Sequence, residues 1–335
     1  MPIYRCNQCG LVAEGAELAV GSQTPCARCG TTSTVFGTVY YVEKLVERYF
    51  SAMRELKALQ AAESAETVPE LAAARKASPP RLDVDLHNTR ALATSEQHAP
   101  LKAWFASRQI EAQFDHAMVD TSGFFDDAAR LIGDGYALFG ELMERIRFAY
   151  RKSHSWVNLE LANVSQKDTQ AINALCRQLY GHTFFARYHY QKPEKIVRLT
   201  LQTAPAVRQF FDGGWLEWYA LMLQLEQANA SGRPFSCARG VKVVFPNEDL
   251  HELDVVCLPE GGIPVCIECK SGEFRRDIDK YLRLRKRLAL PRSHFILCAT
   301  DLDAEQAAGL TAMYELTFLS LDALPGYLES LAKSA

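Results

Sequence analysis

The chain has 335 residues, which is too long for one average domain and fits two or three. Hydrophobic residues make up 48% of it and charged residues 23%, a composition that excludes global disorder. The formal net charge of −3 gives no whole-molecule attraction to nucleic acid, so any such binding has to come from local clusters of Lys and Arg. There is neither a signal-peptide layout nor an apolar run long enough for a membrane span, which favours a cytoplasmic protein.

Two C-x2-C pairs near the N-terminus predict a zinc ribbon over residues 1–38. The first pair is Cys6 and Cys9, the second is Cys26 and Cys29, and sixteen residues separate them. Each pair can present two thiolates to one tetrahedral ion, and a glycine directly after each pair permits the required turn. The alternative is four unligated thiols. Within the zinc interpretation, a purely structural role and contact with nucleic acid or a partner both stay open. The other cysteines sit in apolar surroundings typical of reduced, buried thiols.

The next two segments are predicted from periodicity and turn residues. Residues 39–80 have apolar positions at helical spacing and end at a Pro-Pro pair, which indicates a long helix and a linker. Residues 81–130 are predicted to form a small β-α-β unit, with strands at 82–86 and 110–119 and a helix over 96–108.

Residues 131–212 are predicted to form a winged-helix-like α+β region. A helix over 124–150 and a second over 166–179 precede two alternating segments that read as a β-hairpin. The hairpin turn carries Lys192 and Lys195, which are predicted to contact phosphates. The alternative is a packing domain with an ordinary charged hairpin.

The C-terminal part predicts an α/β domain, because its apolar pattern changes between helical and strand spacing. A helix over 215–227 carries a single early acid, Glu217, among aromatic and aliphatic residues. Burying that carboxylate is costly unless a cation meets it. Strands are predicted over 238–245, 252–258 and 263–270.

Two of these strands bring acids and a lysine together. Glu268 and Lys270 share a strand face because side chains alternate. If the hairpin sets Leu258 opposite Pro264, then Asp254 stands opposite Glu268 on that same face. Opposed carboxylates repel, and a divalent cation such as Mg²⁺ or Mn²⁺ turns that repulsion into ligation. The alternative is a strand-face salt bridge.

This set suits phosphodiester hydrolysis. A metal ion lowers the pKa of water and polarises phosphoryl oxygens, while Lys270 orients the water and offsets charge on the phosphate. Glu217 completes the coordination from its helix. The predicted catalytic residues are therefore Glu217, Asp254, Glu268 and Lys270, the first three as ligands of Mg²⁺ or Mn²⁺.

Three motifs carry a resemblance to a known family: GGWLEWY at 213–219, ELDVV at 252–256 and IECKS at 267–271. In order, spacing and apolar neighbours they resemble the nuclease domain of the CARF-fused PD-(D/E)xK effectors of type III CRISPR systems. The resemblance covers roughly residues 210–335. It implies a restriction-endonuclease-like fold for residues 213–335, the four predicted catalytic residues in the active site, and single-stranded RNA or DNA among the substrates. It also implies a role in prokaryotic defence, and a homodimer or defence-complex subunits as partners. The N-terminal half departs from the family, which has a Rossmann-like sensor for cyclic oligoadenylate there.

A basic helix follows the last catalytic residue. Residues 274–287 hold seven basic residues against two acids. We expect this helix to contact phosphates beside the active site, the alternative being a solvated face. The residues predicted to do so are Arg275, Arg276, Lys280 and Arg283.

The sequence thus predicts a metal-dependent endonuclease that binds nucleic acid. One alternative is a zinc-ribbon and winged-helix nucleic-acid-binding subunit whose nuclease-like domain is an inactive scaffold. Another is an endonuclease subunit of a restriction or transposition system. The choice between DNA and RNA, any effector and the oligomeric state stay open at this stage.

Overall fold

A computed structural model describes residues 2–6, 8–39, 42, 49, 94–115, 118, 124–246 and 250–334. The chain divides into two compact units, 1–77 and 78–335. The predicted strand at 82–86 and nearly all of the predicted helical linker, 39–80, lie outside the described residues.

The first unit contains a four-stranded antiparallel sheet with strand order β2-β1-β4-β3. Its strands are β1 (Pro2–Arg5), β2 (Val12–Glu14), β3 (Gln23–Pro25) and β4 (Thr32–Gly37). Its buried apolar core is small, and two of its members are cysteines: Tyr4, Cys6, Cys26 and Val35. So little apolar burial is a weak source of stability for a fold of this size.

The second unit alternates helices and strands. Its strands are β5 (Glu111–Gln113), β6 (Trp156–Glu160), β7 (Phe185–Gln191), β8 (Ile196–Leu201), β9 (Phe235–Val244), β10 (Leu250–Pro259), β11 (Val265–Lys270), β12 (Phe295–Ala299) and β13 (Thr317–Ser320). Its helices are α1 (Ser95–Ala106), α2 (Phe124–Asp134), α3 (Tyr136–Arg151), α4 (Gln166–Gly181), α5 (Pro205–Gln209), α6 (Trp215–Ser231), α7 (Ile278–Leu288), α8 (Ala304–Met313) and α9 (Leu324–Ser334). A π-helical turn (Phe210–Gly214) precedes α6, and 3-10 turns occur at Arg275–Asp277, Arg292–His294 and Leu321–Ala323. None of the described helices combines the length and the apolar character that crossing a bilayer requires.

The central element is a six-stranded sheet with strand order β13-β12-β11-β10-β9-β5. Strands β11, β12 and β13 run parallel, and the other pairs are antiparallel. Because side chains alternate along a strand, neighbours such as Val255 and Val256 enter different cores on the two faces. One face packs against α6 and α9, the other against α1, α7 and α8. This mixed α/β architecture agrees with the predicted α/β class.

The segment before α6 contains the helices and the hairpin that the sequence predicts, in the predicted order, and also a strand, β6, that the sequence analysis missed. The predicted helix over 124–150 is two helices, α2 and α3, which meet at Gly135. Helix α4 and the hairpin β7–β8 follow, and β6 completes a three-stranded antiparallel sheet with order β6-β8-β7. The buried side chains of this segment belong to the same apolar core as α6 and one face of the six-stranded sheet. Residues 131–212 and 213–335 are thus continuous in packing.

The described part of residues 81–130 extends the six-stranded sheet, while the first strand of the predicted β-α-β unit lies outside the described residues. Strand β5 pairs with β9 at the edge of the six-stranded sheet, and α1 packs against β9. The Gln97 amide also donates a hydrogen bond to the Phe235 carbonyl at 3.0 Å. Strand β5 spans only three residues, and it gains a hydrogen-bonded partner by extending the edge of this sheet.

One pair of cysteines corrects the prediction of reduced thiols. Cys237 and Cys257 stand directly opposite each other in the β9–β10 register and are joined by a disulfide. A cross-strand position of this kind brings two Cβ atoms close, which sequence spacing alone does not reveal. The remaining cysteines outside the N-terminal cluster are free, buried thiols, as predicted: Cys176, Cys266, Cys269 and Cys298.

Candidate active site and metal-binding cysteines

The four cysteines of the first unit form one cluster. The Sγ atoms of Cys6 and Cys29 lie 3.4 Å apart, and those of Cys9 and Cys26 lie 3.5 Å apart. All four sulfur atoms lie within 4.8 Å of one another. A set of four thiol donors at this separation can hold a metal ion, and tetrahedral zinc is the ion that such a set suits best.

Two turns of the same geometry build the cluster. In each C-x2-C pair the glycine N–H donates to the carbonyl of the first cysteine, at 2.9 Å for Gly10 to Cys6 and at 2.8 Å for Gly30 to Cys26. The N–H of each first cysteine donates to the carbonyl five residues later, at 2.8 and 2.9 Å. Both glycines have positive φ, +73° and +74°, where a Cβ would be strained.

The thiols do not ionise equally. A hydrogen bond from the Cys9 backbone lowers the pKa of Cys6 to about 6 although burial opposes it. The pKa of Cys9 rises to about 11, because burial and the neighbouring thiols outweigh the hydrogen bond from the Leu11 backbone. Thiolates this close repel one another, and a divalent cation removes that repulsion. The donor set therefore fits a zinc ion.

In the second unit, the β10–β11 ladder opens at the predicted catalytic positions. Val255 pairs with Ile267, and the following pairs keep the predicted register, which is thereby confirmed. One position further along the same register come Asp254 and Glu268, which the ladder no longer pairs. There the Asp254 carboxylate accepts a hydrogen bond from the Cys269 N–H at 2.7 Å, in place of a backbone acceptor. The two strands thus diverge at the acids.

Lys270 joins these two acids. Its Nζ lies 3.4 Å from an oxygen of Asp254 and 3.9 Å from an oxygen of Glu268. It also lies 5.5 Å from the ring centre of Tyr281 on α7. Burial lowers the pKa of Lys270, but the charges of Asp254 and Glu268 outweigh burial and raise it. The lysine is therefore held as a cation.

Glu268 is the most buried member of the set. The residue is only 2% exposed, and its Oε1 atom has no hydrogen-bond partner among the described residues. Burial first, and the charge of Asp254 second, raise its pKa well above the ordinary range. A buried carboxylate oxygen without a partner is costly, and the cost falls when a cation binds it.

Glu217, at the start of α6, faces a cation that the sequence analysis missed. Its carboxylate lies 2.7 Å from Nη1 of Arg239 on β9. Arg239 also donates to the Met118 carbonyl, at 3.2 Å from Nε and 2.8 Å from Nη2, and stacks 4.0 Å from the Trp218 ring centre. Burial and the charge of Asp254 raise the pKa of Glu217 to about 7, against the effect of Arg239. The one available signal was an arginine in the middle of an apolar strand.

The structure therefore brings the four predicted residues into one electrostatic neighbourhood, but not into one tight ligand shell. Asp254, Glu268 and Lys270 form an ion-paired cluster, while Glu217 is paired with Arg239. Among the described residues, the four cysteines are the one set of three or more donors within 4.8 Å of one another.

Two of the four predicted catalytic residues, Glu217 and Lys270, line part of a cleft of about 350 Å³ in the second unit. Arg147 on α3 also lines it and donates a hydrogen bond to the Ser271 carbonyl. Gly213 has φ +142°, and a Cβ there would lie 2.7 Å from the Ser271 hydroxyl oxygen. The backbone conformation thus favours glycine at this position of the GGW motif, and a Cβ would in addition displace the Ser271 hydroxyl.

The basic residues that follow β11 divide into packed and exposed ones. Arg285 lies 2.7 Å from Glu315, and Arg287 stacks 3.9 Å from the ring centre of Phe245. The residues predicted to bind nucleic acid are all exposed: Arg275, Arg276, Lys280 and Arg283. The predicted hairpin residues Lys192 and Lys195 are also exposed, at the β7–β8 turn.

Comparison with protein families gives no match, and comparison with curated proteins gives none either. Among solved structures, the chain is similar to protein VC1899 from Vibrio cholerae, with a TM-score of 0.47 and 17% identity. It is also similar to Can2 from Sulfobacillus thermosulfidooxidans, solved in complex with cyclic tetra-adenylate, with a TM-score of 0.49 and 17% identity. Each likeness covers 69% of this chain and 60% of the other, so this chain spans less than two thirds of either protein. Neither TM-score reaches 0.5, and function has to be argued from the site itself.

Proposed function

We propose that residues 213–335 form a metal-dependent nuclease domain of the PD-(D/E)xK type that hydrolyses phosphodiester bonds of DNA or RNA. The observation that carries the proposal is that one lysine, Lys270, contacts two carboxylates, Asp254 and Glu268, just beyond the last paired residues of β10 and β11. The Lys270 ammonium lies within 3.9 Å of an oxygen of each. A salt bridge needs only one acid for one lysine. A metal site needs more than one carboxylate, and the lysine beside it then contacts both.

The donor set fits Mg²⁺ or Mn²⁺. Asp254 and Glu268 offer hard carboxylate oxygens, and Glu268 Oε1 lacks any other partner among the described residues. Glu217 is the third expected ligand, from α6. A bound ion would lower the pKa of the attacking water and polarise the phosphoryl oxygens.

The chain's own groups have separate tasks in this proposal. Lys270, held as a cation by its two carboxylate neighbours, orients the water and offsets charge that develops on the phosphate. Arg147 brings a second positive charge to the cleft. The exposed basic residues around α7 bind the phosphates of the flanking nucleotides: Arg275, Arg276, Lys280 and Arg283.

The remaining regions complete the proposal as recognition elements. The zinc ribbon, residues 1–38, and the winged-helix-like region, residues 131–212, are proposed to bind nucleic acid or partner subunits. A role in prokaryotic defence and a homodimeric state stay predictions from the family resemblance.

The test incubates the full chain with single- and double-stranded DNA and RNA in Mn²⁺, Mg²⁺ or EDTA. We expect cleavage with either metal and none with EDTA. Glu268→Ala and Lys270→Ala should each lower the rate at least about 100-fold, the size expected for groups that act in proton transfer and charge stabilisation. Binding of Mn²⁺, followed by electron paramagnetic resonance, should weaken in Glu268→Ala even without substrate.

Matched controls remove the same groups elsewhere in the second unit. Glu260→Ala and Lys102→Ala change an exposed acid and an exposed lysine outside the cluster and outside the basic helix, and both variants should cut at the wild-type rate. Equal cutting by wild type, Glu268→Ala and Lys270→Ala would refute the assignment of the active site.

One observation favours a second candidate function, a nucleic-acid-binding subunit with an inactive nuclease-like scaffold. The Glu217 carboxylate is engaged by Arg239 at 2.7 Å, and the three acids do not share one tight shell. Under this function the wild type binds nucleic acid but cuts none with either metal. An endonuclease subunit of a restriction or transposition system would instead cut only together with co-purifying partner subunits.

A further inference from the structure

A groove lies between helix α4 and the β7–β8 hairpin, apart from the residues of the cleft. Its volume is about 610 Å³, within the range of roughly 300 to 1,000 Å³ typical of ligand sites. The hairpin is fixed where it borders the groove: the Lys195 carbonyl accepts a hydrogen bond from the Leu161 N–H at 2.8 Å. The groove therefore has a defined wall on the hairpin side.

The lining combines three kinds of groups that bind nucleic acid. Positive charge comes from Arg177, Lys192 and Lys195, and no carboxylate is found among the described lining residues. The amides of Gln166 and Gln170 extend from α4, with both side chains exposed. Tyr190, half-buried on β7, supplies an aromatic ring. Cations bind phosphates, amides bind base edges and an aromatic ring stacks on bases.

The floor of the groove holds buried polar groups. Asn173 is 8% exposed, accepts a hydrogen bond from the Tyr188 hydroxyl at 2.7 Å and donates one to the Thr169 carbonyl at 2.8 Å. The Thr169 hydroxyl, in a residue that is 9% exposed, has no hydrogen-bond partner among the described residues. An unpaired buried hydroxyl at the base of a charged groove is a group that a polar ligand satisfies.

From this lining we infer that the groove binds a short single-stranded segment of nucleic acid. The strand's phosphates lie against the hairpin lysines and Arg177, and a base stacks on Tyr190. The inference deepens the proposed nuclease function and rests on it for the strand's role as substrate. The groove then holds the substrate at a place distinct from the cut.

A single strand fits the groove better than a duplex does. The aromatic ring can stack only on a base whose face is free, and in a duplex the bases stack on one another. The concave lining also puts its amides within reach of base edges that pairing would occupy. A duplex would be bound by phosphate contacts alone, without Tyr190.

The test measures binding of a fluorescein-labelled single-stranded oligonucleotide to the full chain by anisotropy, in EDTA so that no metal-dependent cleavage occurs. Tyr190→Ala should raise the Kd about tenfold, the loss typical of one stacked base. The double variant Lys192→Glu, Lys195→Glu should raise the Kd further. It should also reduce the slope of log Kd against log salt concentration by about 1.4, since each phosphate contact on a single strand contributes roughly 0.7 to that slope.

Two controls separate the groove from general effects of charge and folding. The double variant Arg151→Glu, Lys152→Glu makes the same change in net charge at exposed positions outside the groove lining and should bind as wild type does. Tyr190→Phe keeps the ring and should also bind as wild type does. If Tyr190→Ala destabilises the hairpin, the midpoint of thermal unfolding of that variant falls. The variant Tyr190→Trp keeps an aromatic ring for stacking and should then still bind.

Wild-type affinity in both Tyr190→Ala and the Lys192, Lys195 double variant overturns the inference. So does equal affinity for a duplex of the same sequence together with no effect of Tyr190→Ala. Cleavage in Mn²⁺ is measured separately. If the wild type binds through the groove but cuts no nucleic acid, the nuclease proposal is refuted and the groove inference stands. If the wild type cuts normally but its binding does not depend on the groove residues, only the groove inference is refuted.

Discussion

The four cysteines of the first unit and the three acids of the second are both sets of candidate metal ligands, but they are assembled in different ways. The cysteines come from two short turns of the same backbone geometry, and their sulfur atoms already lie within 4.8 Å of one another. The acids come from a helix and two strands, and one of them, Glu217, is paired with an arginine.

The difference lies in what positions each donor. A C-x2-C turn fixes two ligands through local hydrogen bonds, so the site depends on few residues outside it. The carboxylates depend on strand register, on helix packing and on Arg239, which are long-range features of the whole sheet. We expect the first site to depend on its metal for folding and the second to keep its fold without metal.

Metal removal should have the largest effect and should act on the first unit. Because that unit buries few apolar side chains, loss of zinc should unfold it. Cys26→Ser, or treatment with a strong chelator, should reduce zinc content from one ion per chain to none, measured by inductively coupled plasma mass spectrometry. Hydrogen exchange of residues 2–37 should then lose its protection.

The same exchange experiment contains its own control, because residues 124–334 should keep their protection when zinc is gone. Cys176→Ser changes a free, buried thiol in the second unit and should leave zinc content at one per chain. Retained protection of residues 2–37 in zinc-free protein would contradict the contrast between the two sites.

Loss of Arg239 should have the next largest effect, on stability. Arg239→Met leaves the Glu217 carboxylate and the Met118 carbonyl without their cationic donor. Breaking a buried pair in this way costs roughly 3 to 5 kcal/mol, and we expect about 3 kcal/mol because Glu217 is partly exposed. Urea unfolding measures the change, and adding Glu217→Gln should recover part of it.

Arg285→Met provides the matched comparison. Its ion pair with Glu315 has the same length, 2.7 Å, but the Glu315 side chain is 68% exposed. A surface pair contributes at most about 1 kcal/mol. An equal loss of unfolding free energy in Arg239→Met and Arg285→Met would show that Arg239 has no special part in the second site.

The smallest of these effects is expected from Gly213→Ala. The positive φ and the close Ser271 hydroxyl should together cost about 1 to 2 kcal/mol. Gly309→Ala, in α8 with nothing within 4 Å of the added Cβ, should stabilise the protein by up to about 1 kcal/mol. Thermal unfolding distinguishes the expected loss of stability in Gly213→Ala from the expected gain in Gly309→Ala. A stabilising effect of Gly213→Ala would refute the account of the GGW motif.

Sequence reasoning succeeded where local pattern determines structure. The helices and the hairpin of residues 124–201 follow from periodicity and turn residues. The β10–β11 register was only assumed from the sequence, because a slip of one residue would turn one acid to the other face, and the structure has the assumed register. The cysteine cluster follows from spacing alone.

It failed where distant segments meet. The pairing of β5 with β9 joins positions more than one hundred residues apart, and no periodicity within either strand indicates it. The Cys237–Cys257 disulfide depends on a cross-strand register between β9 and β10. Arg239 was visible as a charge in an apolar strand, but its partners on α6 and at Met118 become apparent only when the sheet is assembled.

One apolar core extends from the α4 region through α6 to the six-stranded sheet, without a linker between them among residues 124–246. Close-packed interiors of this kind transmit position rather than absorb it. If both proposals hold, a strand bound at the hairpin would meet the proposed catalytic residues at a constant spacing. We would then expect the fragments to end a set number of nucleotides from the segment bound at the hairpin, whatever their sequence.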